Sequence, residues 1–498
     1  MYDCVLLCGS KNEIAGRNIA GYRLRTAAER AGYSCLVLDC ATAMTAKDLE
    51  VVLDHTISDK TLMLGISTVW LDSNGPFGVP GSTEWINEDF FNRIKTKFPK
   101  LTIVAGGNGL LKLKGSVEIY NAAQWHVTGF SDDSFPKLLM MLDGKPNHNL
   151  KYFVDFKGKK TVDSNATYKI ENPNNIETIL VKDDGFLAHQ PIPLEVSRGC
   201  IFRCAFCNHP FTGAKDADSY IRTPESIASE LRRNYELFGT TRYSLMDDTF
   251  NDSIEKLDRL EKAIELAKLP NFEFQCYLKP ELLVTKPGMI DQLKRLGLMG
   301  AFAGIESLNN RARKEMNKGM DIDRVLDAMS TLKSKNSKAK IYAGMIVGLP
   351  GDTVEDVGKW QELFIKNQTT LFQGWEYNSL GIYSPTDRDK KNMLLSPMEK
   401  DPEKYGYQIV NVSDSGYNFW RNEHMDTGIA YSLAARLNVE SRFITTAAGW
   451  NVASAWHLNE TEENIATKTL NKLELGRRLL EQAKNRASLV ATKIISSS

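Results

Sequence analysis

A chain of 498 residues is long enough for about three domains of ordinary size and for a substantial core. Sixty-two Lys and Arg balance sixty-two Asp and Glu, so no overall field draws it to nucleic acid or to an anionic membrane. Its 42% hydrophobic and 25% charged residues are the makeup of a globular protein, and apolar runs such as 5–7 and 101–104 are too short to span a bilayer, so no membrane partner is expected.

The opening Met1-Tyr2-Asp3 shows no basic segment ahead of an apolar stretch. A reducing, cytoplasmic location is therefore expected, with the eight cysteines as thiols or metal ligands. Over residues 1–148 short apolar runs alternate with helical stretches, the pattern of a parallel sheet covered by helices. Strands are predicted over 3–8, 34–39, 61–67, 101–105 and, as the last, 125–128; helices are predicted over 15–31, 46–54, 84–98 and 134–142. In such a doubly wound, Rossmann-like sheet, ligands bind beyond the carboxyl ends of the strands. Those ends carry Gly9-Ser10, Ser67-Thr68, Gly106-Gly107-Asn108-Gly109 and Thr128-Gly129, whose glycines let a bulky ligand approach the backbone.

Residues 149–187 turn polar, with Gly158-Lys159-Lys160 and Asn172-Pro173-Asn174-Asn175 as turn signals, and read as a linker. From 188 to 390 the alternation resumes as six strand-then-helix units, short of the eight of a closed barrel. The remainder, 391–498, is expected to be mainly helical, with one long helix over 462–493. Within it Tyr417-Asn418-Phe419-Trp420-Arg421-Asn422-Glu423-His424 either caps the barrel and touches substrate or is ordinary packing.

Cys200, Cys204 and Cys207 fall within eight residues, directly after a predicted strand. Such a loop can wrap one metal centre, and three thiolates on a four-iron cube leave one iron open to an exogenous ligand. The competing reading is a zinc knot with His209 as fourth ligand, although Cys207 and His209 are only two apart, where zinc sites space a histidine pair by roughly three to five. Cys4, Cys8, Cys35, Cys40 and Cys276 read as buried, inert thiols.

The cysteine spacing, three residues and then two with Phe206 before the last, resembles the signature of the radical SAM enzymes. Leu245-Met246-Asp247-Asp248-Thr249-Phe250 resembles the family's Asp-Asp-x-Phe motif for the amino group of S-adenosylmethionine (SAM), since carboxylates at a strand end accept from an ammonium. Alone, paired aspartates also read as a helix cap or solvated turn. Ala303-Gly304-Ile305-Glu306-Ser307 is similar to the Gly-x-Glu-Ser motif on the ribose and methionine side, and 342–351 to the adenine-binding strand. Where many relatives carry Arg after the third strand this chain has Lys279, which cannot clamp a carboxylate bidentately. The resemblance implies a 4Fe–4S cluster on Cys200, Cys204 and Cys207, and SAM contacts from Phe206, Asp247, Asp248, Glu306, Ser307, Gly344, Ile346 and Gly348. It also implies a reductant such as flavodoxin or ferredoxin.

A doubly wound domain ahead of this barrel resembles the cobalamin-binding branch of the family. The resemblance implies cobalamin contacts from Ser67, Thr68, Gly106, Gly107, Asn108 and Gly129, with Val127-Thr128-Gly129-Phe130-Ser131-Asp132-Asp133 in place of the usual Gly-Glu-Gly-Glu turn. The Asp-x-His-x-x-Gly motif that supplies a histidine to cobalt is absent, and His55 and His126 lack its context. A nucleotide-fold domain that has lost its ligand is the alternative. Over 3–390 the resemblance implies an α/β enzyme that methylates an unactivated carbon. A radical SAM enzyme of oxidation, cyclisation or rearrangement stands beside it, as does a non-catalytic zinc or iron–sulfur regulator. The substrate is not readable from the sequence.

Overall fold

The computed structural model describes residues 1–9, 17–68, 87–107, 117–146, 149–154, 158–164, 172–209, 214, 216–368, 370–383, 395–412, 417–441, 452–460 and 472–496. Short, largely buried apolar runs form the first sheet: β1 (Cys4–Leu7), β2 (Cys35–Leu38), β3 (Met63–Ser67), β4 (Thr102–Gly106) and β5 (Trp125–Gly129). The predicted last strand is followed by two more, β6 (Tyr152–Val154) and β7 (Lys160–Ser164), drawn from the polar stretch that read as a connection. The order is β2-β1-β3-β4-β5-β7-β6, parallel except for the edge strand β6. The chain reverses its direction of strand addition between β1 and β3, the switch point at which doubly wound sheets bind ligands. One apolar layer, with Leu49, Leu53, Phe90 and Ile94, covers one face of the sheet; another, with Ala28, Phe135, Leu138 and Leu139, covers the other.

The second sheet holds six parallel strands side by side in chain order, β8 (Ile192–Leu194), β9 (Arg242–Leu245), β10 (Glu273–Leu278), β11 (Leu298–Glu306), β12 (Lys340–Val347) and β13 (Gly374–Ser379). The helices that cross back over it start where side chains cap free backbone amides: Thr223 on Ser226, Ser253 on Lys256, Asp321 on Asp323 and Thr353 on Asp356. One continuous core joins strands and helices, so this is the partial barrel that the sequence predicts.

Beyond residue 391 the chain is mainly helical but also forms an antiparallel hairpin, β14 (Gln408–Val412) with β15 (Asn418–Arg421). The helix Lys472–Ser496 returns to the first sheet, burying Ala487 in its apolar layer and pairing Arg486 with buried Asp39, which Arg17 also binds at 2.7 Å. No helix among the described residues is long and apolar enough to cross a membrane.

Candidate active site

The three cysteines lie on the loop that leaves β8, and that loop is held from several sides. Asp247, fully buried after β9, accepts the amide of Val196 (3.0 Å) and both the amide (2.7 Å) and hydroxyl (2.6 Å) of Ser197. Lys256 Nζ stands 3.5 Å from the same carboxylate. Farther along, Ala205 donates its amide to Met316 (3.1 Å) and accepts that of Met398 (2.9 Å), while Asn317 donates to the Arg203 carbonyl (3.2 Å). A loop without regular structure is thereby fixed by atoms from three other elements.

Each thiol has its own donor. The Phe202 amide donates to Cys200 Sγ (3.4 Å), the His209 amide to Cys207 Sγ (3.4 Å) and Lys279 Nζ to Cys204 Sγ (3.7 Å). Such N–H···S bonds and nearby cations suit thiolates that carry the negative charge of an iron–sulfur cluster. Burial pushes the Cys200 thiol up and the Cys207 thiol up to about 12, the His209 amide opposing it. Among the described residues no three His, Cys, Asp or Glu side chains converge as the ligands of a single ion do. A four-iron cube takes each thiolate on a different iron and leaves the fourth iron open. The donor set fits the cluster.

Of the expected SAM contacts at the strand ends around the loop, Asp248 and Glu306 are the partly open carboxylates. Asp248 is half-buried, its Oδ1 3.0 Å from His209 Nδ1. Asp247 does not face the same space: its oxygens are occupied by Val196, Ser197 and Lys256, so of the paired aspartates only Asp248 is placed to meet a ligand. Glu306 adopts a left-handed φ of 68°, at a register shift between β11 and β12, and points its carboxylate back over Gly304, where a Cβ would lie 2.5 Å from Oε1. A strained non-glycine backbone of this kind marks a site more often than a plain strand end. Ser307 is buried and bonds Asp352 (3.0 Å) and the Asn309 amide (2.9 Å), so it supports the turn rather than lining the site. Phe206 packs half-buried on the barrel core, and Ile346 is half-buried on β12. Gly344 lies under the Phe302 ring. Gly348 turns at φ 105° beneath Trp420, and its carbonyl accepts the Tyr407 hydroxyl (2.6 Å). The aromatic cluster of the last region thus caps the barrel through Trp420, which is itself buried.

A charged group of which sequence reading finds only Lys279 stands beside Cys204. Glu281 is paired with Arg313 at 2.5 Å and lies 3.7 and 3.8 Å from Lys318 and Lys279. Burial pushes Glu281 up, but Lys318, Lys279 and Arg313 outweigh it and hold its carboxyl below the usual range. These residues are scattered over 279–318, and no local pattern links them.

In the first sheet a pocket of about 260 Å³ opens at the carboxyl ends of β1, β3, β4 and β5. Ser67, Gly106, Gly107 and Gly129 line it. Thr68 instead latches β3 to β4, its hydroxyl donating to the Gly106 carbonyl at 2.9 Å, and Asn108 lies outside the described residues. Leu6, Gly65 and Phe135 complete an apolar wall, and a Cβ on Gly65 would lie 2.5 Å from Leu6. Cys8, read as an inert core thiol, is buried in the same wall. The pocket's other side is Glu195 and Arg198, two residues ahead of Cys200, so its wall continues into the cysteine loop.

Residues 194–364 match the model of the radical SAM superfamily. The chain therefore carries a radical SAM domain, an enzyme domain whose cofactors are a 4Fe–4S cluster and SAM. Two relatives are tRNA-2-methylthio-N(6)-dimethylallyladenosine synthase of Buchnera aphidicola subsp. Cinara cedri, 23% identical over 63% of this chain and 68% of that protein, and ribosomal protein uS12 methylthiotransferase RimO of Streptomyces avermitilis, 25% identical over 44% of this chain and 43% of that one. Among solved structures, the radical SAM methyltransferase TsrM of Kitasatospora setae, with tryptophan substrate and a SAM analogue bound, superposes with TM-score 0.67 over 97% of this chain and 100% of its own, at 14% identity. The cobalamin-dependent radical SAM enzyme OxsB, with aqua-cobalamin and SAM bound, superposes with TM-score 0.59 over 99% and 83%, at 12% identity. These two likenesses show a shared fold that takes in both sheets.

Proposed function

We propose that this protein is a cobalamin-dependent radical SAM methyltransferase that methylates an unactivated carbon, residues 1–148 carrying the corrinoid, 188–390 the cluster and 391–498 the cover. The observation that carries this reading is the continuity of one wall: Gly65, Gly106 and Gly129 on one side of the first pocket, Glu195 and Arg198 on the other, and Cys200 immediately beyond. Glycines and apolar side chains at a switch point fit a bulky, flat cofactor, and TsrM and OxsB, which share the two-sheet fold, are described as a methyltransferase and a cobalamin-dependent enzyme. When bound, the cluster with SAM supplies a hydrogen-abstracting radical and the corrinoid a transferable methyl group.

The chain's own residues position and shield. Asp247 and Ala205 set the cysteine loop, and Lys279 orients toward Cys204. Asp248 and Glu306 offer carboxylates to an ammonium or to hydroxyls. Phe302, Gly304 and Glu306 alternate as the partly open positions of β11, so the interior of the barrel is where substrate meets the site. Trp420 and Tyr407 close the exit of β12 and keep water out.

Reconstituted enzyme incubated with methyl-labelled SAM and a metabolite and peptide extract tests the reading. A product heavier by one labelled methylene unit is expected. A product unchanged in mass or lighter by two hydrogens assigns oxidation or rearrangement instead, and one bearing a methylthio group assigns the chemistry named for the curated relatives.

A further inference from the structure

The wall between the first pocket and the cysteine loop holds two polar atoms that the fold leaves without hydrogen-bond partners. Arg23, on the helix Ile19–Arg30, is 3% exposed. Its Nε donates to Thr178 (3.1 Å) and its Nη2 to Glu195 (2.5 Å), but Nη1 has no hydrogen-bond partner. Asp132, in the turn after β5, bonds Arg198 through Oδ2 and leaves Oδ1 without one. Nη1 and Oδ1 form a long ion pair at 3.9 Å, beyond hydrogen-bond reach, and both residues line the pocket. Buried polar atoms are almost always paired, so an orphan donor and an orphan acceptor side by side call for a ligand group that supplies one of each.

A primary carboxamide is such a group: its carbonyl accepts from a guanidinium and its amino group donates to a carboxylate. A carboxylate would set oxygen against Asp132, and an ammonium would set charge against Arg23. We propose that Arg23 and Asp132 form a carboxamide clamp that holds a peripheral amide of the corrinoid; this rests on the reading of the first domain as a corrinoid carrier. The clamp is tied to the cluster loop, because Arg198 bonds both Asp132 and Glu195 (2.8 Å) and lies over the Phe130 ring at 4.9 Å.

The test is equilibrium binding of three corrinoids to the full-length protein, followed by absorbance: cobalamin, cobinamide, which keeps the amides and lacks the nucleotide tail, and cobyrinic acid, whose periphery carries carboxylates. Wild-type protein is expected to hold cobinamide about tenfold more tightly than cobyrinic acid, as a site built for a hydrogen-bonding group rejects its analogue. Asp132→Asn keeps a carbonyl for Arg198 and turns an N–H toward the ligand, so the preference should vanish or reverse while iron content stays at the wild-type level. Arg23→Met should weaken cobalamin and cobinamide together by about tenfold. Wild-type protein that binds cobalamin while Asp132→Asn keeps the same amide preference overturns the clamp and leaves the corrinoid carrier standing. Wild-type protein that retains no corrinoid overturns both.

Discussion

Asp247 takes both the backbone amide and the hydroxyl of Ser197, at 2.7 and 2.6 Å, three residues ahead of Cys200. The first member of a motif pair is therefore a brace for the cysteine loop, and the second, Asp248, faces the site. Asp247→Ala removes the acceptor of the Val196 and Ser197 donors, while Lys256 keeps Asp252 at 2.7 Å; buried donors left unpaired cost about 1–3 kcal/mol, and the loop entrance is freed. Iron and sulfide content should fall sharply in this variant. Asp248→Ala should keep both but weaken SAM about tenfold, the scale of one charged hydrogen bond, as read by equilibrium dialysis. Equal iron loss in the two variants would contradict the division of roles.

Alanine at any one of Cys200, Cys204 and Cys207 should abolish SAM cleavage. Full cleavage by Cys204→Ala protein without a cluster would sink the assignment. Lys279→Met removes a cation and a donor 3.7 Å from Cys204 Sγ, so the cluster should become harder to reduce. A potentiometric titration followed by electron paramagnetic resonance should show a lower midpoint, and an unchanged one would mean that Lys279 does not touch the cluster's electronics.

Burial pushes Asp352 up to about 8, against hydrogen bonds from Ser307 and Asn309 and with the nearby Asp356 carboxylate adding to the rise. An unfolded chain releases that proton near about pH 4, so from there to about pH 8 the folded protein holds more protons and loses stability as pH rises. The melting temperature of the wild type should therefore fall between about pH 5 and pH 8 more steeply than that of Asp352→Asn, which carries no titrating proton there. Parallel curves would show that Asp352 is ionised throughout.

Gly348 meets Trp420 so closely that a Cβ would lie 2.5 Å from the indole ring, and its φ of 105° disfavours any other residue. Gly348→Ala should lower stability by about 2–4 kcal/mol through backbone strain and overpacking, seen as a lower denaturant midpoint. A shift within error would mean that the cap over β12 is loose.

Much of this was legible from residue order alone. Buried runs such as Cys4–Leu7 and Lys340–Val347 give up their strands because apolar, β-prone residues of strand length stand between turn signals. The cysteine loop was legible because its ligands are local. β6 was not: it is three residues long, and Tyr152 and Val154 are exposed at a sheet edge, where nothing demands apolar residues. The Arg23–Asp132–Arg198–Glu195 network was not, because Arg23 and Glu195 are 172 residues apart and meet only when the two sheets pack. Motif reading treats Asp247 and Asp248 alike; only the packing of β8 beside β9 separates them. Thr68 likewise sits at the expected strand end yet spends its hydroxyl on the neighbouring strand.

The central claim is that the first pocket and the cysteine loop serve one reaction. Protein purified without oxygen from cells supplied with cobalamin, with its cluster reconstituted, tests this directly through the bound corrinoid per chain, by absorbance and mass spectrometry. Near-stoichiometric corrinoid, lost together with the pocket when Gly65 is replaced by Phe while iron and SAM cleavage persist, is the predicted result. An intact cluster with active SAM cleavage and no corrinoid in the wild-type protein would contradict it.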